Sequence, residues 1–296
     1  MALTRRPAAL PRFRAPFTMA TRRPATVQGM KVALLSPHFD DAVLSCWHVL
    51  SGPADVTVIN VFTASPPGGT PAASWDRLTG AQDPVERMCE RREEDRRALA
   101  LVGRDAVNLD LLDAQYRGGH VPADALVGRL QAVLETGTLV WAPAGLSRHP
   151  DHEAVRDAAL ELAGSGCRVA IYADLPHGIR RGWPAWVSGG PELPGFDVGG
   201  EWSAVLADAG LDVERLVPRV RPLDAHTRDR KLRALTAYGT QRAALDGLAF
   251  VALEDPRALA FEVSWAVPDS ALGRFHESRG EPLVADARRE SLHDGG

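Results

Sequence analysis

Two short clusters of histidine and aspartate could support metal-dependent chemistry in this chain. The first is Pro37-His-Phe-Asp-Asp41, and the second is His149-Pro-Asp-His152. Imidazole is a good zinc ligand, and a carboxylate can complete the ligand set. Two histidines and one carboxylate around an open fourth position are the pattern of a hydrolytic zinc site. Together the clusters predict three or four ligands for one divalent ion.

Each cluster alone has a simpler interpretation, because aspartate commonly caps the N-terminus of a helix. Asp40, Asp41 and Asp151 could each cap a helix that follows. Two such clusters in one chain are harder to explain by capping. Adjacent carboxylates beside an imidazole also repel each other unless a cation is present. The sequence therefore favours a metal site over capping alone.

Both clusters follow predicted strands. The stretch 32–36 is apolar or small throughout and predicts a buried central strand, and 138–142 is the strand candidate before the second cluster. Strand and helix candidates alternate up to the fifth strand. The other strand candidates are 56–62, 106–112 and 168–173. The helix candidates are 85–102, 121–136 and a segment that ends near Ala163. This order predicts an α/β, Rossmann-like fold, with a mostly parallel sheet and helices on both faces. Strand ends at one edge of such a sheet converge, which would bring the clusters together.

The pattern is less regular in the second half of the chain. The segment 178–200 is rich in Gly, Pro and Trp, and is interpreted either as a lid or active-site wall or as a surface excursion. The later candidates are a strand at 213–222, a helix at 224–245 and a strand at 259–267.

Three parts of the chain differ in composition. Residues 1–29 contain several arginines and prolines but no acidic residue. This composition predicts a disordered basic arm, or a translation start that in fact lies later, at Met19 or Met30. Residues 30–276 are predicted to form a single domain. Residues 277–296 are charged and end in glycine, which predicts a flexible tail.

Bulk composition excludes several classes of protein. The chain has 296 residues, 45% of them hydrophobic and 24% charged, and a formal net charge of -4, which argues against a general nucleic-acid or membrane-surface binder. Its three cysteines form no CxxC pair, so no disulfide framework is expected. We expect a reducing, cytoplasmic location instead. No apolar run approaches the roughly 20 residues that a membrane span needs.

The two clusters resemble the two signatures of the LmbE-like, or PIG-L, family of zinc-dependent N-deacetylases. Weaker similarities to this family follow in the same order, and the resemblance extends over about 30–245. The segments that carry these weaker similarities are 91–103, 112–117, 174–176 and 231–241. The sequence departs from the family pattern at Phe39 and Ala42, where proline and glutamate are usual; neither position is a ligand.

The resemblance implies the role of each residue in the clusters. It implies one Zn²⁺ per chain, held by His38, Asp41 and His152. Zinc would lower the pKa of its bound water to about 7. Asp40 matches the general base, His149 a protonated imidazole beside the oxyanion, and Asp151 the carboxylate that orients an imidazole.

Four further residues are candidate contacts for a sugar hydroxyl or a phosphate, with surface salt bridging as the alternative. They are Arg91, Asp113, Tyr116 and Arg117. His120 and His177 lie in predicted loops and could line a pocket.

The resemblance implies an enzyme that removes an acetyl group from the nitrogen of an amino sugar of the N-acetylglucosamine type. The sugar could be a glycoside or be linked to a nucleotide, a lipid or a natural product. Three alternatives stay open: an amidase of the mycothiol-conjugate type, a non-catalytic ligand-binding relative, and a phosphoesterase. The expected partner is a small molecule, and the sequence leaves the oligomeric state open.

Overall fold

The computed structural model describes residues 30–248 and 252–272. The predicted arm at 1–29 and tail at 277–296 lie outside the described residues, as does the end of the predicted 30–276 domain. A seven-stranded sheet runs through the described part of the chain. Its strands are β1 (Lys31–Ser36), β2 (Asp55–Asn60), β3 (Ala106–Asn108), β4 (Leu139–Pro143), β5 (Arg168–Tyr172), β6 (Pro218–Pro222) and β7 (Phe261–Val267).

The strands lie in the order β3-β2-β1-β4-β5-β7-β6. The first five pair in parallel, whereas β7 runs antiparallel to both β5 and β6. The predicted α/β, Rossmann-like, mostly parallel sheet is therefore confirmed. After β3 the chain crosses to the other side of β1 to form β4. Ligands bind at such a reversal of strand order, outside the carboxyl ends of the strands.

The central strand is buried along almost its whole length. Only Lys31 of β1 is exposed, and the five residues after it are buried. A strand covered on both faces by other elements has to be apolar at consecutive positions rather than at alternating ones. The run 32–36 meets that requirement, so β1 is predicted accurately from the sequence.

Ten helices occur among the described residues. They are α1 (Asp41–Ser45), α2 (Trp47–Leu50), α3 (Ser74–Leu78), α4 (Pro84–Ala100), α5 (Ala123–Gln131), α6 (Pro150–Gly164), α7 (Ala185–Ser188), α8 (Val198–Asp208), α9 (Ala225–Leu235) and α10 (Arg242–Asp246). Short 3₁₀ helices cover His177–Ile179, Val213–Arg215 and Asp269–Ala271.

Two strands are shorter than the sequence predicts. The third was expected over 106–112 but ends at Asn108, because Asp110 adopts a left-handed backbone with φ 51°. The late strand was expected over 213–222 but starts at Pro218, because the first residues of that range form a 3₁₀ helix.

The prediction of one helix over 224–245 is wrong, because the chain forms α9 and α10 with a break between them. The break is held by tertiary contacts to α4. Thr240 donates from its backbone N and from Oγ1 to the Glu94 carboxylate, at 2.7 Å in each case. The Tyr238 hydroxyl lies 2.8 Å from Asp95 Oδ1 and 3.2 Å from the Phe39 carbonyl oxygen.

Helix α8 begins inside the segment 178–200, where no helix was predicted. Gly199 and Gly200 are poor helix formers, which hides the start of α8 in the sequence. The Asp197 carboxylate accepts a hydrogen bond from Gly200 N at 2.8 Å, which caps the helix. Trp202 is buried and donates from Nε1 to the Gly178 carbonyl at 2.8 Å.

A buried ion pair joins β7 to α9, and its carboxylate also binds the helix α2. Lys231 Nζ lies 2.7 Å from Glu262 Oε1, and both side chains are buried. Glu262 also accepts hydrogen bonds from the backbone N of Trp47 at 2.8 Å and of His48 at 3.0 Å. The His48 ring is held too, with Nδ1 at 2.5 Å from Oε2. The Glu262 carboxylate therefore fixes α2, the second of the two short helices that follow the first histidine–aspartate cluster.

We expect Lys231→Met to lower the free energy of unfolding by about 3 kcal/mol, because it leaves the Glu262 charge buried without its cation. Urea unfolding followed by circular dichroism would measure the change. Lys31→Met is the matched control, since Lys31 pairs with Glu135 at the surface and should change stability little. Equal midpoints for the two variants would contradict a stabilising role for the buried pair.

The Glu262 carboxylate should also make the protein less stable in acid. Burial alone would raise the pKa of Glu262, but Lys231 and His48 outweigh it and lower the pKa to about 2. Its contribution is therefore present above the ordinary glutamate pKa and is lost as pH falls toward the folded value. Wild type should exceed Glu262→Gln in unfolding free energy by more at about pH 5 than at about pH 3. A difference independent of pH would contradict this assignment.

Candidate metal centre and active site

The loop after β1 is closed by hydrogen bonds from the residues on either side of it. The Ser36 hydroxyl donates to the His38 carbonyl oxygen at 2.5 Å and accepts from Ala42 N at 3.0 Å. His38 N donates to Asp41 Oδ2 at 2.9 Å. Asp40 occupies the N-cap position of α1, but its side chain makes no capping hydrogen bond. Helix capping therefore does not account for the Asp40 carboxylate.

The loop after β4 leads into α6. His149 is the N-cap residue, and its Nδ1 accepts a hydrogen bond from Asp151 N at 3.2 Å. Pro150 follows at the first helical position, where its missing N–H costs nothing. His152 lies in the first turn and is fully buried. The cap is thus the histidine rather than Asp151, whose carboxylate is free to contact the first loop.

Three donor atoms from the two loops face one another. His38 Nδ1 lies 3.3 Å from Asp41 Oδ2, and His152 Nε2 lies 3.4 Å from the same oxygen. The two imidazole centroids are 5.4 Å apart. Tetrahedral zinc with bonds of about 2.0–2.1 Å separates its ligand atoms by about 3.3 Å. The donor set therefore fits one zinc ion.

Carboxylates hold the far side of each imidazole. Asp151 Oδ2 lies 3.1 Å from His38 Nε2, and Asp174 Oδ2 lies 3.1 Å from His152 Nδ1. These contacts leave His38 Nδ1 and His152 Nε2 directed at Asp41. His152 Nε2 is buried and has no hydrogen-bond partner among the residues that the structure describes. A buried nitrogen without a partner is costly unless it binds an ion, so this atom also fits a metal.

Asp174 was not assigned a role from the sequence. It follows β5 directly, so β5 is the third parallel strand, after β1 and β4, whose end delivers a buried polar residue to the site. Its other oxygen accepts from Leu146 N at 3.1 Å, which fixes the carboxylate against the loop after β4. Its position after the fifth strand is the signal that could have identified it.

The charged groups shift one another's pKa values. Burial raises the pKa of Asp40, and the neighbouring Asp41 raises it further. Burial would also raise the pKa of Asp41, but His152 and His38 outweigh it and hold that pKa well below its usual range. Burial lowers the pKa of His149 to about 3, with His38 acting in the same direction. Both effects favour the neutral form of this imidazole.

The tautomer of His149 follows from its hydrogen bond. A backbone N–H can only donate, so Nδ1 of the neutral ring carries no proton and Nε2 carries it. The ring lies 5.1 Å from that of His38 and 5.3 Å from that of His152. A neutral N–H donor therefore stands beside the facing donor atoms.

A cavity of 130 Å³ opens onto the cluster. Besides His38, Asp40, Asp41 and His149, its lining residues are Trp75, Arg91, Asp113, Gln115, Pro176, His177 and Leu245. Two of the four predicted substrate contacts are thus at the cavity. Arg91 and Asp113 are both buried, and Arg91 Nη1 lies 4.0 Å from Asp113 Oδ2.

The other two predicted contacts are engaged elsewhere and are not among the residues lining the cavity. Arg117 forms an ion pair with Asp151 and donates from Nη1 to the Leu112 carbonyl at 2.6 Å. The Tyr116 hydroxyl donates to Asp76 Oδ1 at 2.7 Å. Arg117 therefore steadies the carboxylate that contacts His38, and Tyr116 ties its loop to α3.

His177 lines the cavity, as the sequence allowed for it, whereas His120 is not among the lining residues. The His177 ring lies 5.4 Å from that of His152 and 6.4 Å from that of His149. Burial lowers the pKa of His177 to about 4, with His152 acting in the same direction. The place of His177 in the cavity wall depends on the turn after β5, so the sequence could offer it only as one of two candidates.

Comparisons with known proteins find a deacetylase family and deacetylases of similar structure. The family model for PIG-L, the GlcNAc-PI de-N-acetylase family, matches residues 33–163. The solved structure of A40926 pseudoaglycone deacetylase is 30% identical, with a TM-score of 0.60, covering 80% of this chain and 96% of that one. The zinc-inhibited form of a teicoplanin deacetylase is 25% identical, with a TM-score of 0.57, covering 80% and 97%. A search of curated proteins gave no match.

The chain belongs to the PIG-L family. The prediction that it is a hydrolase of the N-deacetylase class is confirmed by the family match and by the deacetylases of similar structure. In the described part of the chain, no helix combines the length and the apolar character needed to cross a membrane.

Asp174→Asn should weaken zinc binding about 10- to 100-fold, because it removes the charge that orients His152 and strengthens it as a ligand. Titration of the purified apoprotein against a chromophoric chelator would measure the dissociation constant. Asp124→Asn, an exposed change on α5, is the matched control. Unchanged zinc affinity in a folded Asp174→Asn protein would contradict this role.

Proposed function

We propose that the chain removes the N-acetyl group of an amino sugar, with one zinc ion held by His38, Asp41 and His152. The observation that carries this proposal is the set of three facing donor atoms whose imidazoles are each fixed by a second carboxylate. The family supports the acetamido sugar as the substrate class, since it is the family of the GlcNAc-PI de-N-acetylase. The deacetylases of similar structure support the same reaction.

The ion, when bound, would supply Lewis acidity toward water and toward the amide carbonyl. The remaining steps fall to side chains of the chain itself. Asp40 lies at the cavity beside Asp41, where its carboxylate can take the proton of the attacking water and return one to the leaving amine. Its side chain makes no helix-capping bond, so the carboxylate is not committed to α1.

His149 stabilises the negative charge that develops on the acetamide oxygen. Its Nδ1 is occupied by Asp151 N, so the proton on Nε2 is the one it can present. Because the ring is held at the N-terminus of α6, it needs no reorganisation during the reaction. Asp151 acts through His38 and not directly on the substrate.

Arg91 and Asp113 are the groups we assign to the sugar. Both line the cavity, and they are buried enough for a hydrogen bond to a sugar hydroxyl to be made away from bulk water. The proposed location is the cytoplasm, which is supported by three cysteines that are all free.

Asp40→Asn should retain stoichiometric zinc but lower kcat by at least about 100-fold, because the base is removed while the ligands stay. Acetate release from a panel of N-acetylglucosaminyl glycosides would measure the rate, and elemental analysis the metal. His152→Ala is the contrasting variant, which should lose zinc. A near-normal rate for Asp40→Asn at saturating substrate would contradict the assigned base.

The same panel separates the proposal from its alternatives. Cleavage of larger amino-sugar conjugates without acetate release from any glycoside would identify an amidase instead. Absence of stoichiometric metal after zinc supplementation would overturn the metal-dependent reaction and leave a ligand-binding relative.

A further inference from the structure

A second, larger groove adjoins the cavity at His177. Its volume is 580 Å³. His177 lines both spaces, and Arg148 in the groove precedes His149 in the cavity. The cavity and the groove therefore share His177 as part of their walls. Its lining residues are Leu146, Ser147, Arg148, His177, Gly178, Arg180, Arg181, Val198, Glu201, Trp202, Ala204 and Val205.

The groove is basic although the whole chain is acidic. Three arginines and one glutamate line it, whereas the formal net charge of the chain is -4. The arginines come from two loops, with Arg148 after β4 and Arg180 and Arg181 after the 3₁₀ helix that follows β5. They are not a solvated run along one helix face. The topology of the sheet brings them to one place, on the same side as the metal ligands.

The three guanidinium groups differ in how they are held. Arg148 lies 2.5 Å from Asp208 Oδ2, and Arg181 lies 2.6 Å from Glu201 Oε1. Both pairs are exposed, so each is weak enough for an incoming anion to compete. The Arg180 side chain is exposed and makes no ion pair or hydrogen bond within the described residues. Arg148 also has a left-handed backbone with φ 57°, in the loop that carries His149.

We propose that the groove binds a phosphate or carboxylate group carried by the substrate beyond its acetamido sugar. Guanidinium can donate two parallel N–H bonds to two oxygens of either anion. Buried Trp202 and the aliphatic residues of α8 provide an apolar wall for the atoms that link the anion to the sugar. This inference rests on the deacetylase function proposed above, since it describes the remainder of that substrate.

Three aryl N-acetylglucosaminides with the same ring test the proposal: the 4-phosphonooxyphenyl, 4-carboxyphenyl and neutral 4-methoxyphenyl glycosides. The zinc-supplemented wild type should show kcat/KM at least about tenfold higher for one of the anionic glycosides, mainly through KM. Arg180→Gln should reduce that preference about tenfold. Arg129→Gln, an exposed arginine on α5 away from the groove, should leave it unchanged. The better of the two anions identifies the group.

Direct binding keeps this inference separate from the proposed reaction. Calorimetric titration of the same glycosides into wild type and Arg180→Gln needs no turnover. Tighter binding of an anionic glycoside that Arg180→Gln abolishes would support the groove, even if no acetate is released and the deacetylase proposal fails. Equal affinity for the anionic and neutral glycosides, or a preference that survives both Arg180→Gln and Arg181→Gln, would overturn the inference.

Discussion

The site depends on two hydrogen bonds in which a buried carboxylate holds one nitrogen of an imidazole, half-buried in His38 and fully buried in His152. Asp151 fixes His38 and Asp174 fixes His152, and each contact leaves the other nitrogen of the ring directed at Asp41. Buried carboxylates are costly without a partner, and truncating one member of a buried pair leaves the other uncompensated. The two carboxylates therefore do more than tune the ligands. They determine which nitrogen of each imidazole faces Asp41.

The sheet explains how residues so distant in sequence make these contacts. The residues proposed to hold the metal follow β1 and β4, which are neighbours at the point where strand order reverses. Asp174 follows β5, the next strand along. All three strands run parallel, so their carboxyl ends open at one edge. Short, hydrogen-bonded turns then hold each side chain within a few ångströms of the others. The buried Glu262 carboxylate of β7, two strands beyond β4 in the sheet, accepts hydrogen bonds from the backbone of α2 and so holds that helix in place.

The sequence predicted the parts of this arrangement that depend on local pattern. The apolar run of β1, the alternation of strands and helices and the convergence of two clusters follow from residue order. What it did not predict depends on tertiary contacts. Glu94 interrupts the late helix at Thr240, and Asp197 starts α8 over two glycines. The place of His149 as the cap of α6 likewise depends on the folded backbone, which residue types alone do not reveal.

Chemistry and recognition are carried by differently built parts of the molecule. The facing donor atoms come from tight turns at the ends of buried strands, where a small displacement would change the ligand geometry. The groove comes largely from the irregular segment between β5 and α8, where exposed arginines make weak surface pairs. Side chains there can change without disturbing buried hydrogen bonds, whereas those at the strand ends cannot. On the proposed function, the sheet therefore fixes the reaction, and the loops beside it select the part of the substrate beyond the sugar.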